Sequence, residues 1–212
     1  MSIADIRKEY KKAFLSEKDV HPSPIAQFDQ WWNEAVTAEI EEINAMTLAS
    51  VAPDGSPSAR IVLLKGFDDK GFVFFTNYDS RKGNELNSHP QVSLLFFWKE
   101  LERQVRIEGK AVKVSSHESD EYFLSRPLDS QIGAWASPQS QVIASRDVLE
   151  ENMQKMREYF EQTAMKRPPH WGGYCVIPEK IEFWQGRPGR LHDRIQYSHD
   201  KEGNWQLVRL AP

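Results

Sequence analysis

The 212-residue sequence has a single cysteine, Cys175, so no disulfide can form within the chain. That excludes the disulfide-stapled secreted scaffolds and points to a reducing compartment. No stretch approaches the roughly 20 consecutive apolar residues of a membrane-spanning helix. The longest apolar runs, such as residues 92–98, have strand length. The opening MSIADIRKEYKKAF lacks the apolar segment of a secretory signal, so a cytoplasmic location is expected, with no membrane partner. There is no basic excess either: the formal net charge is -4, which argues against a nucleic-acid partner. G-x-G-x-x-G, Walker-type and G-x-S-x-G motifs are absent, which argues against the commonest nucleotide and hydrolase sites. The histidines form no H-x-x-x-H pair and there is no second cysteine, so no metal is expected.

What remains is the composition of a globular protein, 40% hydrophobic and 27% charged. Ile3, Ile6, Tyr10 and Phe14 recur at helical spacing and predict a short amphipathic helix at the N-terminus. Ser23-Pro24 then reads as a cap and first turn of a helix running to about residue 43, burying Phe28, Trp31 or Trp32, Ala35, Val36 and Ile40. From residue 45 the period shortens to two. Strands are expected over residues 46–51, 58–66, 72–76, 91–98, 103–114, 174–184, 191–198 and 205–210. Pro53-Asp54-Gly55-Ser56 and Asp68-Asp69-Lys70-Gly71 supply turns. Helices are expected over residues 80–88, from a cap at Ser116 to residue 125, and over residues 146–164, with residues 128–144 irregular. Strands joined mainly by short turns predict a mainly β fold with flanking helices, an antiparallel sheet closed into a barrel.

Four cationic clusters carry the candidate chemistry, each with a plainer alternative. In Arg60-Ile61-Val62-Leu63-Leu64-Lys65, four apolar residues between two cations predict a strand buried on both faces, whose cations then need anions. Alternatively, both charges reach solvent at the strand ends. Ser80-Arg81-Lys82-Gly83 puts two cations at a helix N-terminus, the end that favours anions. This is either a phosphate site or an exposed basic turn. Tyr122 and Arg126-Pro127-Leu128-Asp129-Ser130 could cradle a phosphate, or simply end a helix. In a strand, Arg190, His192 and Arg194 share one face. That face either meets an anion or electron-rich ring, or is a charged edge that resists aggregation. Trp135, Trp171 and Trp184 flank these clusters and suit stacking on a flat cofactor.

The same segments resemble the pyridoxine (pyridoxamine) 5'-phosphate oxidase family. The resemblance rests on RIVLLK (60–65), SRK (80–82), LERQV (101–105), SRP (125–127) with DSQIGAW (129–135), WGG (171–173), IEFWQG (181–186), RLHDR (190–194) and the terminal RLAP. The runs occur in order along nearly the whole chain. The resemblance implies one domain over residues 1–212, a split β-barrel of the FMN-binding type. Residues 1–20 would form a helical segment able to act as a lid. It also implies a homodimer with FMN at the subunit interface, oxidising pyridoxine 5'-phosphate or pyridoxamine 5'-phosphate to pyridoxal 5'-phosphate. O2 is the acceptor, H2O2 the product, and the amine also yields NH3.

By position, the resemblance assigns Arg60, Arg81, Lys82, Gln139 and Ser140 to the FMN phosphate and its chain. It places Ile61, Val62, Leu63, Leu64, Lys65, Phe75, Thr76, Gln104, Trp184 and Arg194 around the rest of the flavin. Lys65, Tyr122, Arg126 and Ser130 would hold the substrate phosphate. Arg190 and His192 would lie over the substrate ring as the catalytic pair, with Arg7 and Tyr10 contributed by the N-terminal segment. Phe75 departs from the family, which often has Tyr there. Pro138 and Gln141 also vary, beside Gln139-Ser140. Two rivals stand beside the oxidase: a split-barrel flavin reductase using a nicotinamide donor, and a non-catalytic carrier of FMN or pyridoxal phosphate. Arg190 and His192 favour the oxidase over a carrier, because storage alone does not need that pair. Arg60 and Lys65 stand about 16 Å apart on opposite faces of a regular strand, so the resemblance gives them two different phosphates.

Overall fold

The structure is a computed structural model that describes residues 2–5 and 9–212. Its strands are β1 (Ala45–Val51), β2 (Pro57–Leu63), β3 (Gly66–Asp68), β4 (Gly71–Asn77), β5 (Gln91–Trp98), β6 (Arg103–Lys113), β7 (Trp171–Gln185), β8 (Asp193–His199) and β9 (Trp205–Leu210). All pair antiparallel, in the order β2-β1-β5-β6-β7-β4-β3, and β8 and β9 extend from the far end of β7. The two ends of that path are joined through Leu64 and Lys65 alone. The Leu64 N–H donates to the Asn44 carbonyl and the Lys65 N–H to the Val73 carbonyl, each at 2.8 Å. There the chain leaves β1 and joins β4, which curls the sheet into a split barrel.

This exchange of partners corrects the expectation of one continuous strand over residues 58–66. It also corrects the expectation of burial on both faces. β2 is an edge strand: Val62 and Leu64 enter the core, while Ile61 is 63% exposed.

Inside the barrel the alternation of β5 turns Val92, Leu94, Phe96 and Trp98 inward. The helix α1 (Pro24–Thr37) starts on the Ser23 hydroxyl, which accepts from the Ala26 N–H. Phe28, Trp31 and Ala35 fall on one helical face and are buried. The Phe28 ring lies within 5.3 Å of the Phe67, Phe72 and Phe96 rings. Burial of such a side chain contributes about 1.5–3 kcal/mol, so this ring pins α1 to the barrel. α1 ends at Thr37 rather than near residue 43, because Glu39 and Glu42 adopt left-handed φ of 53° and 48° and break the helix. Val36, expected in the core, is half exposed.

Helices α2 (Arg81–Ser88), α3 (Ser116–Ser125), α4 (Leu128–Ala136) and α5 (Asp147–Glu161) flank the sheet. Ser80 caps α2, and α3 is capped by Ser115 rather than Ser116. α4 occupies a stretch expected to be irregular. Leu128, Ile132 and Trp135 carry its period over too few turns to stand out around Gly133.

Among the described residues the expected N-terminal helix is not seen. Of residues 2–5 and 9–16, Ile3–Asp5 form a 3-10 turn and the rest are not helical; Ile6, Arg7 and Lys8 lie outside the described residues. Residues 9–16 run as a non-helical strap, with Phe14 69% exposed. Its N–H groups bond instead to carboxylates of the barrel: Lys11 and Lys12 to Glu102, Leu15 to Asp193.

Candidate active site

A cleft of about 480 Å³ opens between β2, β4 and the corner where α3 meets α4. That corner follows from Arg126-Pro127: the residue before a proline is pushed to extended backbone, and Arg126 has ψ 154°. Tyr122, Arg126 and Ser130 are thereby brought from two helices to one wall, with Lys65 also lining the cleft. The Arg126 guanidinium lies 4.6 Å from the Trp171 ring centroid. Its Nη1 is buried with no hydrogen-bond partner among the described residues, and burial pushes its pKa down. Phe75 stacks on Tyr122 at 3.9 Å and on Trp171 at 5.5 Å, giving the cleft an aromatic wall. Gly173 makes this stacking fit, since a Cβ there would meet the Phe75 ring at 2.7 Å.

Lys82, Thr76 and Gln139 extend the lining. The Lys82 ammonium donates to Thr76 Oγ1 at 2.9 Å and to Gln139 Oε1 at 3.3 Å. Burial, with the Arg60 charge nearby, lowers its pKa. Arg60 does not line the cleft. Its guanidinium donates to the Leu48 carbonyl, to the Ser50 and Ser58 hydroxyls and, at 2.9 Å, to Glu85. Arg81 binds the same carboxylate at 2.9 Å. Burial works against the Glu85 charge, but Ser50, Ser58, Arg81 and Arg60 together outweigh it and hold the pKa at about 2. The negative partner expected for the cations at the start of α2 is thus supplied in part from within, one helical turn on.

Of the expected site residues, Ile61, Val62, Leu63, Lys65, Phe75, Thr76, Lys82, Tyr122, Arg126, Ser130 and Gln139 line the cleft together. Leu64 does not. Its side chain is in the core and both its backbone groups bond to Asn44. Ser140 is exposed beside Gln139, with a left-handed φ of 72°.

The other expected residues gather at the opposite end of β7. Strand register sets Gln104, Trp184 and Arg194 side by side across β6, β7 and β8. Arg194 holds both oxygens of the buried Glu182, at 2.9 and 3.1 Å, and Arg106 adds a third bond at 2.6 Å. The His192 ring lies 4.6 Å from Trp184, and Tyr10 meets Trp184 edge-on at 5.8 Å. His192 Nδ1 accepts the Arg187 N–H at 3.1 Å, which leaves Nε2 to carry the proton of the neutral ring. Burial and the neighbouring Arg190 lower its pKa.

Arg190, His192 and Arg194 do not share one strand face, as the sequence predicts. β8 begins only at Asp193, because Pro188–Arg190 forms a turn in which Gly189 and Arg190 have φ of 63° and 62°. The tight left-handed corner aims Arg190 independently of the sheet. The carboxylates Glu85, Glu102 and Glu182, which orient these cations and the strap, were not singled out in the sequence. A lone acidic residue inside an apolar strand, as in Ile181-Glu182-Phe183, is the signal that could have found one of them. Among the described residues no group of His, Cys, Asp or Glu is placed to hold a metal ion. No helix among them is long and apolar enough to cross a membrane.

Comparison with known proteins agrees with this layout. The family described as Pyridoxamine 5'-phosphate oxidase matches residues 32–160. The Pyridoxine 5'-phosphate oxidase C-terminal dimerisation region matches residues 171–212, which supports self-association. A pyridoxine/pyridoxamine 5'-phosphate oxidase from Cupriavidus necator is 58% identical over 99% of both chains. One from Nostoc sp. is 56% identical over 100% of this chain and 99% of its own. The crystal structure of PhzG from Burkholderia lata, in complex with tetrahydrophenazine-1-carboxylic acid, superposes with a TM-score of 0.89. It is 31% identical and covers 97% of this chain and 100% of its own. With a cationic, aromatic-walled cleft on a split barrel and full-length relatives of this likeness, the chain belongs to the pyridoxamine 5'-phosphate oxidase family and is an oxidase.

Proposed function

We propose that the protein is an FMN-dependent oxidase of pyridoxine 5'-phosphate and pyridoxamine 5'-phosphate, working as a homodimer in which all 212 residues serve one FMN-binding domain. The alcohol and O2 give pyridoxal 5'-phosphate and H2O2; the amine, with water, also gives NH3. The observation that carries this reading is the buried, unpartnered Nη1 of Arg126 in a cleft that Lys65, Tyr122 and Ser130 also line. A buried N–H of a cation left without a hydrogen-bond acceptor is costly, and a phosphate monoester supplies the missing acceptor.

The residues present also fit a phosphorylated, flat cofactor. Lys82 is destabilised by burial and by Arg60, which a phosphate would relieve, and Ile61 and Leu63 offer exposed apolar surface beside it. FMN, when bound, supplies the chemistry that accepts a hydride and passes electrons to O2. Lys82, Arg81, Gln139 and Ser140, with Arg60 behind them, hold its phosphate in this reading. Lys65, Tyr122, Arg126 and Ser130 hold the substrate's. Arg190 and His192 lie over the substrate ring, with Trp184, Gln104 and Arg194 around the flavin. Trp184 lies eleven residues beyond Gly173 on β7, about 36 Å of strand contour, and none of its group lines the cleft. The dimerisation region supports a partner subunit bringing that second group to the cleft.

The test is an absorbance spectrum of the purified protein, followed by peroxide production from pyridoxine 5'-phosphate without nicotinamide. A flavin spectrum with peroxide supports the oxidase. Turnover only with a nicotinamide donor gives a reductase, and a spectrum without turnover gives a carrier. The PhzG likeness makes a tricyclic carboxylate the control substrate, which a phosphate cradle disfavours.

A further inference from the structure

We infer that Glu102 is a positioning residue of the substrate site: its carboxylate anchors the N-terminal strap and so sets Tyr10 against Trp184 and His192. Glu102 is 2% exposed and stands at the turn into β6 with a left-handed φ of 56°. A glycine would occupy that backbone at lower cost, so what a glutamate adds is its side chain. One oxygen, Oε2, accepts the backbone N–H groups of both Lys11, at 2.8 Å, and Lys12, at 3.1 Å. The backbone carbonyl of the same residue accepts the Gly186 N–H at 2.8 Å and Gln185 Nε2 at 3.2 Å. One residue therefore fixes strap and barrel in a common register. The Tyr10 ring, next in the strap, lies on Gly186, where a Cβ would meet it at 2.6 Å.

The anchor is chemically selective. A carboxylate gathering two adjacent N–H groups binds the strap through its backbone, so the lysine side chains at 11 and 12 remain free to vary. Leu15 N–H to Asp193 and Arg187 to the Ala13 carbonyl hold the strap further along. Among the described residues, Glu102 is the barrel group that binds the backbone of the two residues directly after Tyr10.

The positioning role rests on the reading that His192 faces substrate and Trp184 the flavin; the anchoring itself does not. Amide hydrogen exchange of the full-length holoenzyme therefore comes first. Lys11 and Lys12 are protected in the parent, and E102A loses that protection while Gly186, bonded to a backbone carbonyl, keeps it. Alanine inherits the same left-handed backbone, and E102Q, which retains one acceptor oxygen, restores part of the protection. In the oxidase assay E102A raises KM for pyridoxine 5'-phosphate about tenfold, the scale of one lost charge-assisted hydrogen bond, with kcat and FMN content within twofold. Y10A has a similar KM, and the double variant is no worse than either, because both changes remove one contact. Fast exchange at residues 11 and 12 in the parent overturns the anchor. Additive KM effects overturn the placement of Tyr10. Absence of any oxidase activity overturns the function reading and leaves the exchange result to judge the anchor alone.

Discussion

At one end of β7, Gly173 lets the Phe75 ring lie against the backbone, and just beyond the other end Gly186 does the same for Tyr10. The packing device is shared, but the electrostatics are opposite. At the Gly173 end Arg126 carries a buried Nη1 with no hydrogen-bond partner among the described residues, and the hydrogen bonds of Lys82 there go to the neutral Thr76, Ser80 and Gln139. At the Gly186 end Arg194 is bound by both oxygens of Glu182. Unmet positive charge is what an anion site needs. A neutralised cation beside Trp184 and His192 presents shape and hydrogen bonds instead. In the proposed function the first end captures phosphate and the second contacts a ring. In that reading the partner subunit brings such ends together, because they lie far apart on one strand.

The sharpest way to break this contrast is Arg190→Met. Arg190 is exposed and has no ion pair among the described residues, so its loss leaves the fold intact. We expect kcat to fall about 100-fold or more with FMN still bound, the scale of losing one preorganised charge at a reacting centre. Normal turnover would remove Arg190 from the ring end. Next comes Arg126→Ala, for which KM for pyridoxine 5'-phosphate rises roughly 30-fold, the range of a hydrogen bond to a charged group, with the flavin spectrum unchanged. Loss of flavin in that variant would merge the two phosphate sites into one. A smaller effect is expected for Gly173→Ala. Its new Cβ would sit 2.6 Å from a Val114 methyl and 2.7 Å from the Phe75 ring. Such overpacking costs about 1–3 kcal/mol, read as a drop in Tm of about 5 °C. An unchanged Tm would mean that Phe75 is free to move into the cleft.

How much of this was readable beforehand differs between the two ends. Residues 60–65, 80–82 and 122–130 were singled out by their cations, and most of them do meet in one cleft, because strand period and proline grammar are local properties. The change of partner strand at Leu64 was not readable. It depends on Asn44 and Val73, neither of which marks it in the sequence. At the ring end, alternation gave the wrong geometry for Arg190 and His192. A Pro-Gly turn with two left-handed residues delays β8, and no period-two argument registers that. The N-terminal strap failed for a related reason. Its apolar spacing is helical, but Glu102 and Asp193, some 90 and 180 residues away, offer its N–H groups better partners than its own carbonyls. Side chains that act across long sequence distances, such as Glu85 and Glu102, carry no local signature; Glu182, a lone acid in an apolar strand, is the exception.

The finest test of the contrast is the ionisation of His192. Burial and then the Arg190 charge lower its pKa from the usual 6.5, and its Nδ1 is engaged by the Arg187 N–H. The ring is therefore neutral at neutral pH, with Nε2 as donor. Protonation would put a second hydrogen at Nδ1, facing a donor it cannot bond. The unfolded chain takes up this proton near pH 6.5 and the folded protein only below it. The stability His192 contributes is thus complete above pH 6.5 and is lost as pH falls through its folded value. By NMR titration of the histidine ring, the midpoint should lie below 6.5. Arg190→Met should move it upward but not back to 6.5, because burial, the larger cause, remains. A midpoint at or above 6.5 in the parent protein would place an unneutralised anion beside the ring. The Gly186 end would then have to be counted as a charge-capturing site like its counterpart.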